Sequence, residues 1–224
     1  MKQRLPLTLF LSAETILYGL IMTSHGKVLI YSQFTSIVLC FLFATLHLSH
    51  KNYLMVLGAI LTVGADFCLI ICDPIQQLGG MVFFLFTQSC YATHLYRAYG
   101  SRSLLALRLI VSVLVIPITF LVLQTQTDAL ALVSIVYYTN LVMNLIAAIH
   151  HRKHCPLMIP AFLLFILCDT VIGLQVATSG YLPIAETSLL HTLLFSPFPL
   201  AWFFYLPSQV LLVLHSRKEN GRTA

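Results

Sequence analysis

Eight apolar stretches follow one another along the chain. Each is close to the roughly 20 residues that a helix needs to cross the hydrocarbon core of a membrane. The connections between them are short, and no linker is long enough to divide the chain. The pattern predicts an all-α integral membrane protein in which residues 1–224 form a single domain, one bundle of eight transmembrane helices. The stretches are residues 5–22, 28–46, 53–72, 78–96, 104–123, 129–149, 157–178 and 199–215.

Prolines make two of these stretches irregular. Pro117 predicts a kink in the fifth stretch, because proline removes a backbone hydrogen bond from a helix. Pro197, Pro199 and Pro207 crowd the eighth stretch. The segment before it, residues 181–198, is expected to hold a short interfacial or re-entrant piece.

The composition supports a membrane protein with several spans. Of the 224 residues, 59% are hydrophobic and 8% are charged, whereas globular proteins carry about 25% charged residues. The mean hydropathy is +0.92. The net charge of +5 is expected to lie in short loops and forms no basic domain, so we expect no nucleic-acid partner. Most of the cysteines lie within the apolar stretches, where they act as small apolar residues, and no disulfide framework is predicted.

The basic residues indicate the orientation, because the cytoplasmic loops of membrane proteins are enriched in Lys and Arg. With the N-terminus inside, eleven of the twelve Lys and Arg residues lie on the cytoplasmic side, and only Lys27 lies outside. Arg108 is counted among the cytoplasmic cations. We therefore expect both termini to be cytoplasmic.

Three acidic residues, Glu14, Asp66 and Asp169, lie inside the apolar stretches. A charged residue in a span costs about 2.5–3.5 kcal/mol on insertion scales, so it usually faces the bundle interior and marks a site. From the cytoplasmic ends of their helices, Asp66 lies at about 20 Å, Asp169 at about 18 Å and Glu14 at about 14 Å. Gly58 and Thr62, one turn apart before Asp66, are small enough to let a neighbouring helix approach closely.

Asp66 and Asp169 are the predicted catalytic pair. A low dielectric disfavours the charged form and a neighbouring carboxylate disfavours it further. We therefore expect one protonated and one ionised carboxyl group, the arrangement that acid–base chemistry needs. The alternative is a structural pair of protonated acids that are hydrogen-bonded for stability.

Polar side chains recur at helical spacing on several other helices, so that each set lies on one face. Together they predict a polar interior cavity, although ordinary hydrogen bonding between helices explains Gln88 and Tyr91 equally well. The predicted substrate-binding residues are Glu14, Thr62, Gln88, Tyr91, Asn140, Tyr205 and Gln209.

The histidines do not favour a metal site. The run at residues 150–154, HHRKH, has basic neighbours and no nearby carboxylate, which favours a positively charged segment facing the membrane surface. His94 is expected at the membrane interface. Neither a metal ion nor a cofactor is predicted.

Four segments resemble motifs of the YhhN-type lysoplasmalogenase family, whose members have eight spans. Residues 58–66, GAILTVGAD, resemble its third-helix pattern G-x-x-F-S-x-x-G-D, and residues 165–169, FILCD, resemble its seventh-helix pattern F-x-x-S-D. Residues 205–209, YLPSQ, resemble Y-x-x-A-Q of its last helix. Residues 80–91 resemble G-x-x-x-F-x-x-x-H-x-x-Y, with glutamine in the histidine position. The chain also has Ser32-Gln33 where family members tend to have Lys-Pro.

The resemblance implies an intramembrane hydrolase that cleaves the vinyl-ether bond of a lysoplasmalogen to an aldehyde and a glycerophospho-alcohol. One aspartic acid would protonate the vinyl ether, and the ionised partner would stabilise the resulting oxocarbenium ion and orient water. The implied partners are a lysophospholipid substrate and membrane lipid, and the expected location is a bacterial cytoplasmic membrane. Two alternatives stay open: a proton-coupled transporter of a small molecule or lipid, and a catalytically inactive relative, which the departures at Gln88 and Ser32-Gln33 favour.

Overall fold

A computed structural model describes residues 4–123, 128–180 and 188–221, and all regular structure in these ranges is helical. This confirms the all-α prediction. A π-helical segment, Phe67–Ile71, directly continues the third helix. The α-helices are α1 Arg4–Thr23, α2 Gly26–Thr45, α3 Tyr53–Asp66, α4 Gln77–Tyr99, α5 Arg102–Leu123, α6 Ala129–His150, α7 Met158–Gly180, α8 Leu189–Leu194 and α9 Leu200–Gly221.

The eight predicted stretches correspond to the long helices, apart from residues at their ends. Six of the described helices are long and apolar enough to cross a membrane: α1, α2, α3 with its π-helical continuation, α5, α6 and α7. The protein is therefore an integral membrane protein. Both α4 and α9 are long but less apolar, because they carry many of the polar side chains that the bundle buries, such as Gln88, His94, Gln209 and His215.

Two clusters of buried side chains hold the helices together. One draws mainly on α3, α4, α6, α7 and α9 and contains the buried rings of Phe84, Phe162 and Phe165. The other joins α1, α2, α3 and α9, and in it the rings of Phe10 and Phe43 stack with their centroids 4.1 Å apart. Because α9 contributes to both clusters, the last helix connects the two parts of the core.

Helix α5 lies at the edge of the bundle. It packs against α6, and most of its apolar side chains are exposed, among them Leu109, Val113 and Leu121. In a membrane this surface faces lipid. The helix continues through Pro117 to Leu123.

Helix α9 also continues through a proline, Pro207. Proline has no N–H group, so the carbonyl oxygen of Phe203, one turn earlier, lacks its helical donor. The hydroxyl group of Tyr18 on α1 donates to that oxygen at 3.2 Å. A backbone carbonyl without a partner costs several kcal/mol in a bilayer, so this contact supports a regular helix at the proline.

The short helix α8 lies within the segment predicted to hold a short irregular piece. Its N-terminus is capped by Ser188, whose Oγ accepts the N–H of His191 at 3.1 Å. Gln175 of α7 donates to the carbonyl oxygen of Leu194 at 2.6 Å, which ties α8 to α7. Residues 181–187 of the predicted segment lie outside the described residues.

Candidate active site

Asp66 on α3 and Asp169 on α7 lie close enough for their charges to interact. Asp66 is buried, with 3% of its surface exposed, whereas Asp169 is partly exposed. The hydroxyl group of Tyr205 on α9 donates to Oδ2 of Asp66 at 2.7 Å, and that of Tyr137 on α6 donates to Oδ2 of Asp169. Each carboxyl group therefore has its own tyrosine donor, and four helices supply the set.

Two phenylalanine rings pack around these tyrosines. The ring centroid of Phe84 lies 5.7 Å from that of Tyr137 and 6.3 Å from that of Tyr205. The centroid of Phe165 lies 5.4 Å from that of Tyr205. Closely packed rings exclude water and lower the effective dielectric, so charges in this region interact more strongly than they would in water.

The backbone changes its hydrogen-bonding pattern directly after Asp66. Helix α3 ends at Asp66, and the π-helical segment that follows is closed by the N–H of Cys72, which donates to the carbonyl oxygen of Phe67 at 3.0 Å. Single π-helical turns of this kind occur frequently at functional sites. Gly80 lets α4 approach the segment, because a Cβ atom there would lie 2.5 Å from Cγ of Leu69.

The small residues before Asp66 allow close approach, as the sequence predicted. A Cβ atom at Gly58 would lie 2.4 Å from Cε1 of Tyr91, so glycine leaves the room that this ring needs. The side chains of Tyr91 and Thr62 lie close together and line the same small cavity. Thr62 donates to the carbonyl oxygen of Gly58 at 3.0 Å. The tyrosine is thereby fixed against α3 one turn before Asp66.

Thr62, Tyr91 and Gln209 line a small cavity of about 10 Å³, which is about the room that one water molecule needs. Cys40 of α2 lines it as well, and its thiol donates to Oε1 of Glu14 at 3.4 Å. Glu14 is buried, with 4% of its surface exposed. Four of the predicted substrate-binding residues thus gather at this cavity, three of them directly and Glu14 through Cys40.

Gln88 and Asn140 belong to a different polar group, between α4, α5 and α6. Asn144 donates to Oε1 of Gln88 at 2.8 Å. Arg108 donates to Oδ1 of Asn144 at 2.5 Å and to Oδ1 of Asn140 at 3.5 Å. Gln88 is fully buried, and its Nε2 has no hydrogen-bond partner among the described residues. These contacts connect the two predicted residues to Arg108.

The expectation that the charges lie in short loops is wrong for Arg108. This residue lies within α5, about 9 Å along the axis from the start of the helix, and is partly buried. Its guanidinium group reaches α6 rather than the membrane surface, because Asn140 and Asn144 accept its hydrogen bonds. The spacing of these two asparagines, one turn apart, was the signal in the sequence that a polar partner faces α6.

His94 lies near the end of α4, as expected, but inside the bundle. It is buried, with 2% of its surface exposed, and its ring lies edge-on to that of His215 with the centroids 6.2 Å apart. At the end of α6, the rings of His151 and His154 both stack on Tyr99, with centroids 5.2 Å from it. Within the described ranges no three His, Cys, Asp or Glu side chains are grouped as a metal site requires.

Comparison with known proteins adds one finding. The sequence model of the YhhN family matches residues 12–215, a range that contains all the candidate residues described above. Searches among curated proteins and among solved structures returned no match.

Proposed function

Since this chain belongs to the YhhN family, we propose that it is an intramembrane hydrolase that cleaves the vinyl-ether bond of a lysoplasmalogen. The products are an aldehyde and a glycerophospho-alcohol. The observation that carries the proposal is the interacting pair of carboxyl groups, Asp66 and Asp169, each of which accepts a hydrogen bond from a tyrosine.

In the proposed reaction the pair holds one proton. The protonated carboxyl group gives that proton to the β-carbon of the vinyl ether, and an oxocarbenium ion forms at the α-carbon and the ether oxygen. The ionised carboxylate stabilises this cation. It then accepts a proton from the water molecule that attacks the α-carbon, which restores one proton to the pair. The hemiacetal collapses to the aldehyde and the alcohol.

The two tyrosines position the carboxyl groups for these steps. An O–H donor on a carboxylate oxygen makes a short, charge-assisted hydrogen bond that holds the group in one orientation. Tyr205 and Tyr137 come from different helices, so the packing of the bundle determines the geometry of the pair. Asp169 is partly exposed and Asp66 is buried, and we therefore assign first contact with the substrate to Asp169.

The proposal includes a topology in which all eight long helices cross a bacterial cytoplasmic membrane as one domain, with both termini inside. Helices α4 and α9 pack along α3 and α7, which are apolar enough to span. Eight crossings with the N-terminus inside also leave eleven of the twelve Lys and Arg residues on one side, in agreement with the distribution that membrane proteins show.

The departures from the family motifs lie inside the bundle. Ser32 and Gln33 of α2 are 6% and 8% exposed, and Gln88 is fully buried. These changes leave both aspartates and both tyrosines in place. We therefore assign the acid–base chemistry to the aspartate pair alone, and regard the absence of the motif histidine as no obstacle to it.

The test is release of aldehyde from a lysoplasmalogen by the purified protein in phospholipid nanodiscs. A 1-acyl lysophospholipid is the matched control substrate, because it has the same headgroup and no vinyl ether. We expect aldehyde from the first lipid and no fatty acid from the second. If the wild-type protein releases no more aldehyde than its Asp66→Asn variant, the hydrolase is excluded. Proton-linked uptake into vesicles then tests the transporter alternative.

A further inference from the structure

A cavity of about 300 Å³ lies between α4, α5 and α6. It is close to the ends of α4 and α6 and to the beginning of α5, the side of the bundle on which the basic residues are concentrated. Ser89, Thr93 and Tyr96 of α4 line one wall, and Arg108 of α5 and Asn140 of α6 line another. The lining therefore combines hydroxyl groups with a guanidinium group.

Arg108 brings a positive charge into this cavity. Its hydrogen-bond acceptors, Asn140 and Asn144, are neutral amides, and no described carboxylate lies within ion-pairing distance of it. A guanidinium group has five N–H donors, so donors remain for a ligand. A cation inside a membrane span is costly, and it usually pairs with another charged group or with backbone carbonyls and indicates a functional site.

The beginning of α5 adds to this positive field. Ser101 lines the cavity, and its Oγ accepts the N–H of Leu104 at 3.4 Å, so the first turn of the helix lies at the rim. The N-terminus of a helix carries a partial positive charge and favours anions. Both the side chain of Arg108 and the backbone of α5 thus favour a negatively charged ligand.

His151 lies at the rim of the same cavity. Burial lowers the pKa of His151, and the neighbouring imidazoles of His150 and His154 lower it further. The neutral form of this imidazole is therefore favoured, and Arg108 is the residue of the lining that supplies a full positive charge.

The distance from the aspartate pair fits one lipid molecule. Asn144, which accepts from Arg108, follows Tyr137 by two turns of α6, or about 10 Å. Tyr137 donates to Asp169. In a lysoplasmalogen about seven bonds separate the β-carbon of the vinyl ether from the phosphorus atom, which is roughly 8 Å when extended. The two lengths agree to within about 2 Å, so a lipid with its vinyl ether at Asp169 would have its phosphate close to the depth of Arg108.

We propose that this cavity is a phosphate-binding site in which Arg108 binds the headgroup phosphate of the lysophospholipid. The guanidinium fork matches the oxygen atoms of a phosphate group. The choice of a lysophospholipid rests on the proposed function, but the choice of a phosphate group rests on the charge and lining of the cavity.

The test measures binding rather than catalysis. The probes are a 1-O-alkyl lysophosphatidylethanolamine, whose saturated ether lacks the bond that the reaction cleaves, and the matching 1-O-alkylglycerol, which has no phosphate. We expect the full-length protein in nanodiscs to bind the phosphorylated lipid about tenfold more tightly, or about 1.4 kcal/mol. Inorganic phosphate is the third probe. Competition by phosphate at the same concentration as the lipid would overturn the headgroup assignment, and competition only at far higher concentration supports it.

Arg108→Gln should remove this preference, so that the two lipids bind with affinities within about twofold of each other. Arg102→Gln is the matched control, because it removes the same charge from the same helix at an exposed position that does not line the cavity. It should keep the full preference. Retention of the preference in Arg108→Gln, or an equal loss in Arg102→Gln, would overturn the proposal.

A second pair of variants leaves the charge in place. Ala147→Leu fills the cavity from α6, and Ala106→Leu places the same bulk on the exposed face of α5. We expect only Ala147→Leu to lose the preference for the phosphorylated lipid over the alkylglycerol. The same preference in both variants would contradict the site.

The two proposals can fail separately. Wild-type protein that binds the alkyl ether but releases no aldehyde would exclude the hydrolase and leave the phosphate site standing. Aldehyde release without a preference that depends on Arg108 would exclude the phosphate site alone.

Discussion

The hydroxyl group of Tyr205 donates to Oδ2 of Asp66 at 2.7 Å. The two residues come from α9 and α3, and both are buried. A buried carboxyl group without a hydrogen-bond partner is costly, so this contact offsets part of the cost of placing an acid inside the bundle. Tyr137 does the same for Asp169.

Removal of one of these donors should lower the rate without unfolding the protein. For Tyr205→Phe we expect aldehyde release to fall by about 10- to 100-fold, since a hydrogen bond to a charged group contributes about 1.5–3 kcal/mol. Tyr138→Phe is the control, because its hydroxyl group pairs with Thr170 at 2.9 Å and not with a carboxyl group. The measurement is kcat for aldehyde release. Equal rates in the two variants would remove Tyr205 from the site.

The aspartates themselves should be essential. Asp66→Asn and Asp169→Asn keep the size of the side chain but remove its ability to exchange a proton. We expect either change to lower aldehyde release by at least about 10²-fold, the lower end of what general acid–base catalysis contributes. Asp128→Asn is the matched control: this exposed residue caps α6 by accepting the N–H of Ala131 at 2.7 Å, and asparagine caps a helix equally well. Full activity in either site variant would exclude the mechanism.

The sequence was sufficient to locate the long helices and to single out the aspartates. The thickness of a membrane sets the length of an apolar stretch, and the cost of an intramembrane acid points to the bundle interior. The rotation of each helix about its axis could not be predicted in the same way. The sequence around Arg108, near a helix end, is equally compatible with a side chain that extends to the membrane interface and with one that turns into the bundle. The hydrogen bond of Arg108 to Asn144 shows that it turns into the bundle. Likewise, Gln88 could be placed on a face of α4, but its acceptance of a hydrogen bond from Asn144 depends on how α6 packs.

Gly58 should be needed for the approach of α4 to α3. An alanine Cβ there would lie 2.4 Å from Cε1 of Tyr91, and the buried ring, with 2% of the residue exposed, has little room to move away. We expect Gly58→Ala to lower the free energy of unfolding by about 1–3 kcal/mol, as overpacking does. In Gly173→Ala, where the added Cβ would meet nothing within 4 Å, we expect a gain of about 0.5–1 kcal/mol. Thermal unfolding of both variants in the same detergent measures this, and a melting temperature for Gly58→Ala at or above that of Gly173→Ala would contradict the close contact.

The proposed topology predicts where reporter fusions will lie. Fusions after residues 102, 154 and 217 should read cytoplasmic, and fusions after residues 73 and 128 should read external. The two less apolar helices are tested directly by this set. If α4 does not cross, the reporters at 73 and 102 will give the same reading. If α9 does not cross, the reporter at 217 will be external.

The contribution to stability of the hydrogen bond from Tyr18 to the carbonyl oxygen of Phe203 should depend on Pro207. Tyr18→Phe removes the hydroxyl donor but keeps the aromatic ring, which packs near that of Phe203 with the centroids 6.2 Å apart. In the wild-type background we expect a cost of about 0.5–1.5 kcal/mol, as for a typical hydrogen bond. Pro207→Ala restores the backbone N–H that can donate to the carbonyl oxygen of Phe203. In that background the oxygen has a backbone donor and does not need the hydroxyl group of Tyr18.

The double-mutant cycle therefore separates compensation for the proline from simple packing. The free energies of unfolding of the wild type, the two single variants and the double variant give the coupling between the sites. We expect the cost of Tyr18→Phe to fall to about half or less when Pro207 is replaced, because the hydrogen bond that it removes then has a backbone substitute. An equal cost in both backgrounds would mean that Tyr18 stabilises the protein through its ring and not through the carbonyl oxygen of Phe203. In that case another group must satisfy this oxygen, since a bilayer offers no water to do so.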